Sequence, residues 1–277
     1  MRMSMKRNCL AGLWRVSVYW YWDGANKLRW VALPLVALAM VAIMIIPQLL
    51  STTRAVFSSP LAAYRSMYGV YLLGAIPLVA IMQGASILRD DLEAGTLVYV
   101  WPKPLGRVPH VVVKWLIAAL VVSVSGVVGV CILYFGCLGF TDLGLSNLLV
   151  MVWDWGGLVC GAVAYLSIGC MIAALFKKQA MQIQLSFFYV FILDAIPVLL
   201  PGIIKRFSVR TLAISLSSSQ VRGNDGTSLF SIFSSVDYVP EKEAVVWLGA
   251  IVLVCLVVTL LMVKMRDSWV VRPSESA

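Results

Sequence analysis

The chain has 277 residues, 61% hydrophobic and 13% charged. Soluble domains run at roughly 45–50% apolar and about 25% charged, so a soluble globular fold is excluded. The net charge of +9, from 22 Lys and Arg against 13 Asp and Glu, is what the positive-inside rule places on cytoplasmic loops, and it needs no nucleic acid partner.

Residues 1–29 are more than a tail. Leu10, Leu13, Trp14, Tyr21 and Leu28 fall near helical spacing, interrupted by Arg15, Asp23 and Lys27, among the rings of Tyr19, Trp20, Trp22 and Trp30. This predicts an amphipathic helix lying on the cytoplasmic leaflet; an aromatic belt extending the first span is the other reading.

Uncharged runs predict six spans, at about 30–50, 68–88, 111–138, 155–176, 182–204 and 244–263. At about 1.5 Å per residue, some 20 residues cross the roughly 30 Å hydrocarbon layer. Lys and Arg number fifteen in residues 1–29, 89–114, 177–181 and 264–277 together, and seven in 51–67, 139–154 and 205–243 together. Both termini are therefore expected in the cytoplasm. The first apolar run starts near residue 30, so no cleavable signal peptide is evident.

Pro34, Pro47, Pro77 and Pro197 lie in or near span ends and predict kinks. Gly157 and Gly161 form a G-x-x-x-G pair, and Ser125 and Gly129 a small-xxx-small pair, which favour close helix contacts within one subunit. Cys9, Cys131, Cys137, Cys160, Cys170 and Cys255 sit mostly in apolar runs without C-x-x-C spacing, and His110 is the single histidine. Neither a disulfide framework nor a metal centre is suggested.

The connection between spans two and three carries the most information. A charged helical extension holds Asp90, Asp91 and Glu93; Gly95, Thr96 and Leu97 follow, and then Pro102, Pro104 and Pro109, which are expected to stop the helix. Arg107 and Lys114 complete the stretch, and the expectation is a rigid folded knob.

This stretch resembles the ABC-2 type permeases, the membrane subunits of a class of ATP-driven exporters. Their pattern after the second span runs approximately E-x-E-x-G-T-L, then P-x-x-R, then a Lys opening the third span. Here Asp91 and Glu93 take the acidic positions, Gly95, Thr96 and Leu97 match, Pro104 to Arg107 match, and Lys114 follows; Asp91 in place of Glu is the main departure. The resemblance implies an all-α membrane protein of six transmembrane helices, organised as an N-terminal amphipathic interfacial segment (1–29), a transmembrane domain (30–263) and a cytoplasmic tail (264–277). It implies a cytoplasmic coupling loop at 89–110, against which a separate ABC ATPase subunit presses. Asp91, Glu93, Gly95, Thr96, Pro104, Arg107 and Lys114 would be the ATPase-coupling residues. The external segment 205–243, with short helices before span six, would close the exit. The permease would work in the plasma (inner) membrane as a dimer with itself or a related subunit.

No G-x-x-x-x-G-K-[ST] phosphate loop occurs, so the chain is expected to lack catalysis and cofactors of its own, with ATP bound by the partner. Asp194 is read as the only carboxylate near the middle of a span, and charge in lipid is expensive, so it should face the bundle interior, a water-filled cavity or a partner subunit. Asp194, and more weakly Gln83, are candidate pathway residues, each with interhelical hydrogen bonding as the alternative. A membrane enzyme would need a convergent nucleophile and base, which the sequence does not offer. An ion- or proton-coupled secondary carrier or channel centred on Asp194 is the competing function.

Overall fold

A computed structural model describes residues 31–32, 34–39, 42, 60–93, 107–138, 145–176, 178–194, 206–217 and 239–265. The N-terminal segment 1–29, Gly95, Thr96 and Pro104 of the loop, residues 218–238 of the expected external segment, Pro47, Pro197 and the tail past 265 lie outside the described residues.

The described elements are all helical. After a helical stretch at 34–39 come α1 (Pro60–Val70), a π-helical turn (Tyr71–Ala75), α2 (Ile76–Glu93), α3 (Arg107–Leu138) and α4 (Leu145–Leu175). Then follow α5 (Gln179–Phe188), a second π-helical turn (Tyr189–Leu193), α6 (Val209–Leu216) and α7 (Glu241–Met265). Among the described residues four helices are long and apolar enough to cross a membrane: Tyr64–Leu88, Val108–Cys137, Leu149–Leu175 and Glu241–Met265, with Ala180–Leu193 a shorter apolar helix.

The helix boundaries follow from local chemistry. Pro77, expected to kink its span, comes directly after the first π-turn, and Ile76 N–H bonds to Tyr71 O five residues back. As expected, the second span runs on as helix through Asp91 to Glu93. Pro109 does not stop a helix: it lies in the first turn of α3, where its missing N–H has no intrahelical partner to lose. At α7, Pro240 precedes the first turn, which carries Glu241 and Glu243, while Lys264 stands in the last; both charge signs suit the helix dipole.

The fourth helix is the hub, packing against α2, α3, α6 and α7. Its buried positions include Gly157, Gly161, Ala162, Ala164, Gly169, Ala173 and Ala174, whose small volume lets neighbours come close. At the α2–α4 crossing a Cβ on Gly84 would overlap Leu166 O, and one on Gly169 would overlap Ile81 O. The two backbones are therefore in direct contact through two glycines.

Outward faces are apolar. The seventh helix buries only the stripe Ala244, Leu248, Cys255, Thr259 and Val263, leaving Val246, Leu253, Val254, Val257 and Leu261 exposed. Phe187, Phe188, Phe191 and Ile192 are exposed along α5 and its π-turn. Several buried serine and threonine hydroxyls bond back to their own helices, as in Ser86 to Gln83 O, Ser167 to Val163 O and Thr259 to Cys255 O, so these three add no unmet polar group to an apolar interior.

Candidate functional site

The sequence singled out Asp194; the structure shows a second buried carboxylate, Asp154, near one end of the Leu149–Leu175 helix. Asp154 lies within α4, a helix that begins ten residues before the predicted span, and its side chain is fully buried. Two hydrogen bonds reach Asp154 from another helix: Tyr64 OH donates to its Oδ2 at 2.8 Å and Tyr68 OH donates to its backbone carbonyl at 2.9 Å.

Asp194 closes the second π-turn. Its N–H bonds to Tyr189 O at 2.8 Å, five residues back, rather than to Val190 O four back. Tyr165 OH of α4 donates to Oδ2. The hydroxyl of Ser208 lies 3.0 Å from Oδ1 and 3.1 Å from the Asp194 carbonyl, while the Arg210 N–H reaches Oδ1 at 3.5 Å. Ser208 is also the N-cap of α6, accepting from Thr211 N–H at 3.2 Å. The carboxylate of the fifth helix thus holds the first turn of α6.

The side chain of Arg210 points into the same place. Its Nε is 3.9 Å from Asp194 Oδ2, and its Nη2 donates to Leu73 O at 3.1 Å and to Val190 O at 3.4 Å. Both carbonyls belong to π-turns. Leu73 O is the acceptor that Pro77, lacking an N–H, cannot serve; Val190 O is the one that Asp194 N–H passes over. One guanidinium therefore supplies donors where two helices depart from α-helical bonding.

The rest of α6 is enclosed. Val209 to Ala213, Ser215 and Ser217 are buried, although the segment 205–243 that holds them is expected outside the membrane. The expected G-x-x-x-G contact is within one subunit, as the sequence implied, and its partner is α6. A Cβ on Gly157 would lie 2.6 Å from Ser217 Oγ and 2.7 Å from Ala213 O, and one on Gly161 would lie 2.9 Å from Ala213 Cβ. At its far end Ser217 Oγ is 3.0 Å from Tyr68 OH, which ties α6 to the Asp154 group. Ser215 Oγ accepts from Val239 N–H, and Arg206 pairs with Glu243 at 3.1 Å, joining α6 to the start of α7.

The other sequence candidates lie apart from this arrangement. Gln83 is buried in α2 beside Gly84, at the α2–α4 crossing, which suits its interhelical alternative. Lys114 is 2% exposed within α3 and His110 is buried one turn before it, so Lys114 acts on its own chain's interior and presents no charged surface. Asp91 and Glu93 belong to the end of α2, and Arg107 opens α3. Arg210 and Asp154 were missed; the one signal was a charged residue inside or beside an otherwise apolar or hydroxyl-rich helix.

No curated protein matches the chain closely enough to count as a relative. A family model described as "ABC-2 family transporter protein" matches residues 25–266, a stretch that takes in every helix from the first apolar run to the end of α7. A buried polar seam on a bundle of apolar helices, together with a match over nearly the whole chain, identifies this protein as a multi-pass membrane permease of the ABC-2 transporter family.

Proposed function

We propose that the chain is the membrane subunit of an ATP-driven exporter, six spans deep, with both termini in the cytoplasm. It works as a homodimer or with a related permease, and it takes its energy from a separate ABC ATPase. Residues 89–110 form the coupling loop, in which Asp91, Glu93 and Arg107 organise the surface, Gly95, Thr96 and Pro104 shape it, and Lys114 supports it from inside. The segment 205–243 is the exit gate.

The single observation that carries this reading is the family match over residues 25–266 in a chain without a phosphate-binding loop. Families of this kind generally pair with an ATPase subunit. The burial of α6 among the spans, rather than in solvent, supports giving the segment that contains it a gating role. A secondary carrier centred on Asp194 has less support, because Tyr165, Ser208 and Arg210 already occupy that carboxylate.

The test is affinity purification of the tagged chain in nanodiscs, with mass spectrometry of what comes with it and an ATP hydrolysis assay. An ATPase recovered with the chain, and lost from the Glu93→Lys variant, is the expected result. A chain that purifies alone and moves protons in liposomes sinks the reading in favour of the carrier.

A further inference from the structure

We propose that Arg210 is a releasable latch: it pins α6, which is seated on α4, to the π-turns of two other membrane helices, and it lets go when the pathway opens. The latching geometry stands by itself; its link to opening rests on the permease reading above.

The attachments of α6 differ in kind. Toward α4 it is held by backbone and methyl contacts over Gly157 and Gly161, and through Ser217 to Tyr68, which also bonds to Asp154 of α4. Such dry contacts have no partial release; separating them exposes the whole interface. Toward Leu73 the described link is one side chain, and toward Val190 that same side chain adds to the bonds of Ser208 with Asp194. The guanidinium makes bonds of 3.1 and 3.4 Å to the two carbonyls and a loose 3.9 Å pairing to Asp194, with Nε donating no hydrogen bond. A single rotation of the Arg210 side chain breaks all three at once.

What is held is also the part built to bend. π-turns within membrane helices are frequent at functional sites, and Pro77 adds a kink point to the first of them. With the guanidinium in place, the two off-register carbonyls have a donor. Without it each loses one donor, which leaves its π-turn freer to change register. Asp194 keeps Tyr165 and Ser208 in either state, which leaves the carboxylate satisfied while the latch swings away.

The test is hydrogen–deuterium exchange of the full chain in nanodiscs, comparing wild type with Arg210→Gln and Arg210→Lys. The glutamine variant should exchange on the order of tenfold faster in peptides covering 71–75, 189–193 and 206–217, with 145–176 unchanged. The lysine variant, which keeps the charge and its donors on a shorter side chain, should fall between. Unchanged exchange in the three segments overturns the latch, and so does a loosening that spreads through 145–176, since Arg210 would then hold the whole bundle.

A second measurement uses the complex with its ATPase held in the ATP-bound state. Wild type should show the same three-segment loosening, and Arg210→Gln no further change. A wild-type pattern that ignores ATP while the ATPase is bound overturns release as a working step. If no ATPase accompanies the chain, the permease reading fails, and the first measurement still decides whether Arg210 pins the three segments.

Discussion

Gly157 and Ala213 meet through their backbones: a Cβ on Gly157 would stand 2.7 Å from the Ala213 carbonyl oxygen. Backbone cannot swing aside as a side chain can, so Gly157→Ala should push α6 off α4 at a cost of about 1–3 kcal/mol. At Gly161 the nearest atom is the Ala213 methyl at 2.9 Å, and Gly161→Ala should cost less. Thermal midpoints of the two variants in nanodiscs check the order. Equal midpoints would mean that α6 shifts to accept either methyl.

The α2–α4 crossing gives a sharper contrast. Gly84→Ala and Gly169→Ala each drive a methyl into the facing backbone, and both should reduce the folded yield. Gly249→Ala has open space around its Cβ and should be neutral or stabilising by up to about 1 kcal/mol, because alanine is the better helix former. Measuring all three by thermal unfolding separates close contact from general intolerance of change.

Much of this was legible in the sequence, and the remainder was hidden for a physical reason. Apolar run length marks helices directly, so the spans around residues 68–88, 111–138, 155–176 and 244–263 reappear with ends moved by a few residues. Asp154 was excluded from its span because a charge in lipid is costly. Its hydrogen-bond donor Tyr64 lies 90 residues away, where no local pattern can see it. Arg210 was counted as a loop charge for the same reason, its acceptor Leu73 being 137 residues distant. The π-turns carry no periodic signal, and only Pro77 hinted at the first. Gly84 and Gly169 were overlooked because each glycine's partner is a backbone rather than a second small residue four positions on.

Lys114 and Glu93 should fail differently. With Lys114 enclosed within α3, Lys114→Glu puts the opposite charge into a buried setting and should lower the amount of folded chain, by size-exclusion profile and midpoint alike. Glu93→Lys, at the end of α2, should leave both unchanged and act on the association with an ATPase. A Lys114→Glu chain that folds normally yet loses its ATPase would place that residue at the contact surface instead.

Tyr64→Phe removes the 2.8 Å hydrogen bond to Asp154 while keeping the ring, which packs edge-on to Tyr134 at 5.4 Å. A buried carboxylate deprived of a donor costs about 1–3 kcal/mol. Tyr134→Phe leaves that donor in place and should cost less. Equal losses from the two would show that ring packing rather than the hydrogen bond carries the contribution of Tyr64.

Asp194 has two kinds of partner, and a double-mutant cycle can rank them. Tyr165 OH is in direct hydrogen-bond contact with its Oδ2, whereas Arg210 Nε stands 3.9 Å from the same oxygen. Interhelical hydrogen bonds in membrane proteins average about 0.6 kcal/mol, reaching roughly 1.7 at most. The Asp194–Tyr165 coupling, from Asp194→Asn, Tyr165→Phe and the double variant, should lie toward the upper part of that range. Asp194→Asn also leaves the guanidinium buried without its counter-charge, so it should destabilise more than Tyr165→Phe, by up to about 3–5 kcal/mol. Adding Arg210→Gln to Asp194→Asn should recover part of that loss, because the uncompensated charge is gone. No recovery would mean that the bonds of Arg210 to Leu73 and Val190, rather than its charge, are what the cluster depends on, and the carboxylate would then serve Tyr165 and Ser208 alone.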